Sequence, residues 1–173
     1  MIDTIENSLF SMNYFLKNKY LVNLCVNKNI NFGVIGVGHL GKFHVQQIKR
    51  VPNASLCGVY DINYKRALSV AKQNGTKAYK NVNSLLSNCS AVSVVVSTPF
   101  HCEVAIQALM NGCHVFIEKP ITNNIKDAQK IISLAKEKQK KIQVGHIERF
   151  NPAYKAYILN QHKPLFIECH RLA

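Results

Sequence analysis

The chain has 173 residues, 47% of them hydrophobic: enough for one full α/β domain and the start of another, and too apolar for wholesale disorder. Its formal charge is +13, but the lysines are scattered and Arg numbers 4 against 18 Lys and 18 Asn, a composition that argues against nucleic acid as a partner. No stretch approaches the ~20 consecutive apolar residues of a membrane helix, so no membrane partner is expected either.

Six cysteines, at 25, 57, 89, 102, 113 and 169, include no C-x-x-C pair. The expectation is free thiols in a reducing, cytoplasmic compartment, with neither a metal site nor a disulfide framework.

Residues 1–30 are Asn-rich, lack clean periodicity and read as an N-terminal extension; "YLVNLCV" (Tyr20–Val26) is too short and interrupted for a signal-peptide core. From Asn31 the pattern becomes regular. "FGVIGV" (Phe32–Val37) predicts a strand, and Val45, Ile48 and Val51 a helix after it. "ASLCGVYD" (Ala54–Asp61) predicts a second strand; Tyr64, Ala67, Leu68 and Ala71 mark a helical face that Gly75 stops. "KAYK" (Lys77–Lys80) is a brief third strand, and Val82, Leu85 and Leu86 a short helix. "AVSVVVS" (Ala91–Ser97) is continuously apolar, as a parallel strand covered on both faces should be.

Ala105, Ala108 and Leu109 give the next helical face, ended by Gly112, and "HVFIE" (His114–Glu118) the fifth strand. Ile125, Ala128, Ile132 and Ala135 predict a helix that "KEKQKK" (Lys136–Lys141) closes with cations suited to its C-terminal dipole. "KIQVGH" (Lys141–His146) is the sixth strand. Tyr154, Tyr157 and Ile158 follow as packing residues of one more helix, and "PLFIECHRLA" (Pro164–Ala173) as a seventh strand. Strands alternating with helices through short connections predict an α/β fold, a doubly wound parallel sheet of Rossmann type.

Gly36, Gly38 and Gly41 stand as G-x-G-x-x-G between a predicted strand and helix, and Asp61 ends the next strand 20 positions after Gly41. This is the context that a dinucleotide-binding turn requires. Gly36 permits the tight turn, Gly38 lets the backbone approach a diphosphate, and Gly41 lets helix and strand pack closely. The diphosphate would lie on the helix N-terminus, where His39 and Leu40 offer backbone N–H groups. Asp61 would accept hydrogen bonds from ribose hydroxyls and repel a 2′-phosphate, favouring NAD over NADP.

"STPFHCEVAIQALMNGCHVFIEKPIT" (Ser97–Thr122) and "VGHIERFNPAY" (Val144–Tyr154) resemble the Gfo/Idh/MocA oxidoreductases, in which a Rossmann domain precedes an open-sheet α/β domain. "GHIERFNP" looks most like bacterial members that oxidise nucleotide sugars, including UDP-N-acetylglucosamine 3-dehydrogenases. The resemblance covers Asn31–Ala173 and implies an NAD-dependent dehydrogenase of a sugar or nucleotide-sugar CH–OH group, acting as a homo-oligomer at full length.

It also implies roles. Ser97 and Thr98 would lie beside the cofactor, and His101 near its nicotinamide side. Glu118 would contact the nicotinamide ribose. Lys119 would stand between cofactor and sugar hydroxyl as the catalytic group, with the Lys119–Pro120 bond often cis. Arg149 and Asn151 would face the substrate cleft.

Read from the residues alone, His101 is equally a solvent-facing residue at a helix N-terminus, Arg149 a partner for Glu148, and His146 a packed residue at a strand end. Only Phe100 separates Pro99 from His101, a shorter spacing than relatives carry. The expected organisation is an extension over 1–30, a Rossmann domain over 31–148, and the start of a truncated substrate domain over 149–173. A non-catalytic dinucleotide-binding module or truncated relic is the competing expectation.

Overall fold

The computed structural model describes residues 29–159 and, beyond them, Leu165, Phe166, Glu168 and His170. Residues 1–28 of the expected N-terminal extension and the greater part of the expected seventh strand lie outside the described residues, while Ile30, counted in that extension, opens the first strand. In chain order the elements are β1 (Ile30–Ile35), α1 (His39–Ile48), β2 (Ala54–Tyr60), α2 (Tyr64–Asn74), β3 (Ala78–Tyr79), α3 (Val82–Leu86), β4 (Ala91–Val94), α4 (His101–Met110), β5 (His114–Ile117), α5 (Ile125–Glu137), β6 (Ile142–Val144) and α6 (Pro152–Leu159). The six strands form one sheet in the order β3-β2-β1-β4-β5-β6, with every pair parallel. This is the doubly wound order whose topological switch point, between β1 and β4, opens a crevice at the strands' carboxyl ends.

The period-2 alternation of strands decides what each face carries. Phe32, Val34, Ala91 and Phe116 share a cluster with Val45 and Ile48 of α1 and Ala67 and Val70 of α2. Ile35, Val92, Val94, Val115 and Ile117 cluster on the other face with Leu85, Leu86, Ala105, Ala108, Leu109, Ile131 and Ala135. Each fully buried Leu, Ile or Phe of this kind contributes about 1.5–3 kcal/mol.

Two helical faces differ from expectation. In α5 the buried residues are Ile131 and Ala135, whereas Ile125 and Ile132 are 78% and 56% exposed. Ala135 is buried as expected, but Ile132 lies one residue, or about 100°, round the axis from Ile131, so the buried stripe is turned from the expected one. In α2, Val70 is buried in place of the exposed Leu68. Tyr154 of α6, expected to pack, is exposed. The expected fourth strand stops at Val94 because β1 turns away at Gly36: Val95 N–H donates to Ile35 O at 2.8 Å, and a 3-10 turn over Thr98–Phe100 follows. Among the described residues, no helix is long and apolar enough to cross a membrane.

Candidate functional site

At the end of β1 the chain turns through Gly36, whose φ of +88° is left-handed; a Cβ there would approach Val95 O to 2.5 Å. A Cβ on Gly41 would collide with Gly36 O, so the third glycine is what lets α1 start so close to the turn. Gly38 differs: a Cβ there meets nothing within 4 Å. Its hydrogen leaves a cradle open outside the protein rather than relieving a contact inside it.

Helices α2, α3 and α5 are capped by Asn63, Asn81 and Asn124, whose side chains accept from backbone N–H groups. The N-cap of α1 is Gly38, with no side-chain hydrogen bond. The first-turn N–H groups of α1, including those of His39 and Leu40, thus face an open cradle and bring the positive end of the helix dipole to it.

Asp61 closes one side of this turn. It is 5% exposed; Val37 N–H donates to Oδ2 at 2.9 Å and Asn63 N–H to Oδ1 at 2.8 Å. The Arg66 guanidinium lies 3.4 Å from Oδ2. Arg66 Nη1 donates to both oxygens, at 3.5 Å and 3.4 Å, so about four acceptor positions are met by two short backbone contacts and two long guanidinium contacts, and the long pair is the one that ribose hydroxyls can replace. The uncapped helix, the open glycine and the anchored carboxylate are together the donor and acceptor set that an adenine dinucleotide requires.

A second group of residues lies on the same sheet face as α1. Ser93 on β4 alternates with Val92 and Val94, and Glu118 follows Phe116 two residues on, so both point toward the α1 side. His44 sits on the buried stripe of α1 with Gly41, Val45 and Ile48. Its Nδ1 is 2.8 Å from Ser93 Oγ and its Nε2 3.1 Å from Glu118 Oε1, with the ring edge-on to Phe116. Glu118 Oε2 accepts from Lys119 N–H at 3.1 Å. Burial opposes charge on Glu118, but the His44 hydrogen bond and Lys119 outweigh it and hold the carboxyl below its ordinary range. A Cβ on Gly145 would come within 2.8 Å of Glu118 Oε1, so glycine after β6 is part of the same fit.

Beyond Glu118, the Lys119–Pro120 bond is cis, and Lys119 is exposed with no ion-pair partner among the described residues. Ser97 is exposed and Thr98 half-buried, in the segment that leaves β4. His101 corrects the solvent-facing reading made from the residues. It is 1% exposed, with Nδ1 2.9 Å from Pro120 O and Nε2 3.0 Å from Val96 O. Its ring ties the Lys119–Pro120 segment to the end of β4 and is not presented to solvent.

His146 is exposed rather than packed. Arg149 is exposed and makes no ion pair among the described residues; Glu148 Oε2 instead accepts from Asn151 Nδ2 at 2.8 Å. Asn151 Oδ1 also accepts from Ala153 N–H at the start of α6, a capping role. The structure therefore brings Gly36, Gly38, Gly41 and Asp61 together at one turn. It gathers Glu118 with His44, Ser93 and Gly145, three residues that the sequence reading passed over. The His44 signal was available: it falls on the sheet-facing stripe with Gly41, Val45 and Ile48, where a polar side chain needs a partner.

A family model described as "Oxidoreductase family, NAD-binding Rossmann fold" (GFO_IDH_MocA) matches residues 30–146. UDP-N-acetylglucosamine 3-dehydrogenase of Acidithiobacillus ferrooxidans is 40% identical over 143 residues, covering 82% of this chain and 45% of that protein. Glucose-6-phosphate 3-dehydrogenase of Bacillus subtilis is 34% identical over 128 residues, covering 73% of this chain and 35% of that protein. The solved structure of the Acidithiobacillus ferrooxidans enzyme superposes with a TM-score of 0.73 at 39% identity, over 76% of this chain and 43% of that one. The chain thus spans less than half the length of these relatives. With an NAD-binding Rossmann fold over most of its length, it belongs to the Gfo/Idh/MocA oxidoreductase family.

Proposed function

We propose that this chain is the cofactor-binding part of an NAD-dependent dehydrogenase acting on a CH–OH group of a sugar or nucleotide sugar, with UDP-N-acetylglucosamine as the first substrate to test. The observation that carries the proposal is the buried His44–Glu118 contact, 3.1 Å long. It fixes the Glu118–Lys119 segment against the same helix whose uncapped N-terminus lies at the glycine turn. A free ammonium is thereby held at the carboxyl end of the sheet, where ligands of doubly wound folds bind.

In this reading the N–H groups of His39 and Leu40 and the open face of Gly38 hold the diphosphate, and Asp61 holds the adenosine ribose. Ser97, Thr98 and Glu118 line the nicotinamide half. NAD supplies the hydride acceptor when bound. Lys119 orients the sugar hydroxyl and stabilises negative charge on its oxygen as the proton leaves. Glu118, held ionised, keeps its neighbouring lysine in place. His101 acts through Pro120 as a positioning residue rather than as a ligand, and Arg149 and Asn151 stand at the start of the substrate domain, from 149 onward. The four free cysteines among the described residues support a reducing, cytoplasmic setting. A homo-oligomeric full-length enzyme is part of the same reading.

The test has two arms. The 173-residue polypeptide should bind NADH, read by nicotinamide fluorescence. The chain carried in a protein of the relatives' full length should form NADH from NAD with a sugar nucleotide, and Lys119→Ala should lower that rate at least ~100-fold. Cofactor binding without turnover on a panel of sugars and sugar nucleotides would leave the non-catalytic module as the correct reading.

A further inference from the structure

A pair of cysteines stands apart from the cofactor turn, toward the opposite end of the strands. The register of β1 on β2 slips at their middle: Phe32 lies opposite Leu56, but Gly33 lies opposite Gly58. Cys57 is the extra residue of this bulge. Bulges re-aim a side chain, and here the thiol turns to donate to Phe32 O at 3.3 Å. The same sulfur is 2.7 Å from Sγ of Cys89, which lies in the connection from α3 to β4.

Between these two residues runs β1. Its residue there is Gly33, where a Cβ would stand only 2.7 Å from Cys89 Sγ. The absent side chain is what allows two sulfurs from either side of β1 to meet over it. A disulfide needs about 2.05 Å between sulfurs, so the gap to close is about 0.7 Å.

We propose that Cys57 and Cys89 are a thiol pair that closes to a reversible intramolecular disulfide when a small-molecule disulfide supplies the oxidising equivalents. The reaction is thiol–disulfide exchange. The Cys57 thiolate attacks one sulfur of R–S–S–R, forming Cys57–S–S–R and releasing R–S⁻. The Cys89 thiol gives up its proton to R–S⁻, and its sulfur attacks that of Cys57. The S–S bond of Cys57–S–S–R breaks as the Cys57–Cys89 bond forms, a second R–S⁻ leaves, and it takes the proton that Cys57 had lost. The two protein sulfurs are oxidised by two electrons, and one small disulfide becomes two small thiols.

The surroundings assign the order of attack. The hydrogen bond from Cys89 holds the Cys57 thiol below its ordinary range although burial opposes it, whereas the same contact and burial push Cys89 up. Cys113, fully buried and donating to Cys89 O at 3.3 Å, is pushed up to about 11 by burial. Cys102 is also raised, by burial first and by Asp127. Among the described cysteines, only Cys57 has its thiolate favoured, and both sulfurs of the pair belong to half-buried residues that solvent reaches.

The experiment uses the whole 173-residue chain, reduced and then exposed to oxidised glutathione under native conditions. Remaining thiols are alkylated, and the linked peptides are mapped by mass spectrometry. The expected product has lost two hydrogen atoms, retains no glutathione and joins Cys57 to Cys89. In Cys89→Ser, whose hydroxyl preserves a donor, glutathione should stay on Cys57 and arrive there at least ~10-fold faster than on Cys102. A disulfide joining another pair, glutathione retained on both sulfurs, or Cys57 no faster than Cys102 in the variant would each overturn the assignment. If circular dichroism shows Cys89→Ser unfolded, the map of the unsubstituted chain decides alone.

Discussion

His44 Nε2 stands 3.1 Å from Glu118 Oε1 across the seam between α1 and the end of β5, and Ser93 Oγ stands 2.8 Å from its other ring nitrogen. A neutral imidazole has one donor and one acceptor, and this site offers a carboxylate to the first and a hydroxyl to the second. His44→Ala would leave Glu118 buried without its partner and open a cavity beside Phe116. Removing one member of a buried pair costs about 3–5 kcal/mol, so urea unfolding at neutral pH should show a loss of about 3 kcal/mol or more. His44→Gln, which can still donate, should recover part of it. A loss under 1 kcal/mol for the alanine variant would mean that the contact does not hold the segment.

Glu118 makes the same contact visible in pH. Its carboxyl is held below the ordinary range in the fold, so the folded state favours the ionised form. That contribution is complete above the unfolded-state pKa and is lost as pH falls through the lower folded value. Over this acid window stability should decline, by up to about 1.4 kcal/mol per pH unit for one proton. Glu118→Gln should be less stable at neutral pH and should lose this part of the acid slope. Urea midpoints across pH 3 to 7, roughly the carboxylate window, measure both. An unchanged slope in the variant would assign the acid sensitivity to other carboxylates.

The three glycines should separate into two behaviours. A Cβ on Gly38 meets no protein atom within 4 Å, whereas one on Gly41 collides with Gly36 O. Gly38→Val should therefore keep its circular dichroism and melting temperature within a few degrees while losing NADH binding at least ~10-fold. Gly41→Ala should melt lower, because the helix must move off the turn. Loss of fold in Gly38→Val with retained fold in Gly41→Ala would reverse the roles given to them.

Much of this turn was legible before any coordinates. Strand, glycines, helix and Asp61 stand in sequence order at fixed offsets, and their chemistry is local. The parallel, doubly wound character of the sheet followed from alternating strands and helices, whereas the order of its strands came only from the structure. The His44, Ser93, Glu118 and Gly145 group was not legible, because its members come from four segments that only the strand order brings together. His101 was misjudged for a related reason. A helix N-terminus suggests exposure, and only the fold shows the carbonyls of Val96 and Pro120 enclosing its ring. The phase of α5 was missed because Ile131 and Ile132 are adjacent and equally apolar, so periodicity alone does not choose between them.

Asp61 and Arg66 together should set cofactor choice. In the present chain the guanidinium lies 3.4 Å from Asp61 Oδ2, and in the proposed binding mode the carboxylate holds the adenosine ribose. The chain should bind NADH more tightly than NADPH. In Asp61→Ala the repulsion goes and Arg66 is released to pair with a 2′-phosphate, so the preference should shift toward NADPH by at least ~10-fold. Adding Arg66→Ala should take that gain away. Fluorescence titration with both nucleotides reads all three proteins. Equal affinities in the unsubstituted chain would remove Asp61 from the role of selector.

His101 carries the last prediction. Carbonyl oxygens lie 2.9 Å and 3.0 Å from its two ring nitrogens. A neutral imidazole has only one N–H, so it serves one carbonyl at a time; the imidazolium serves both. His101→Phe keeps a ring of similar size in the buried site and removes both donors. The carbonyls of Val96 and Pro120 then lose their side-chain partner, a cost of about 1–3 kcal/mol if they stay buried. Urea unfolding should show this loss with the denaturant slope unchanged, since the surface exposed on unfolding is nearly the same. Because the ring ties Pro120 to the end of β4, amide exchange at Lys119 and Ile121 should quicken more than at Val34 or Val92 in the strand cores. NADH affinity should fall less than in Gly38→Val, since His101 positions a segment and offers no group to the diphosphate. An unfolding midpoint equal to that of the unsubstituted chain, with unchanged exchange at Lys119, would show that the two carbonyls are satisfied without His101.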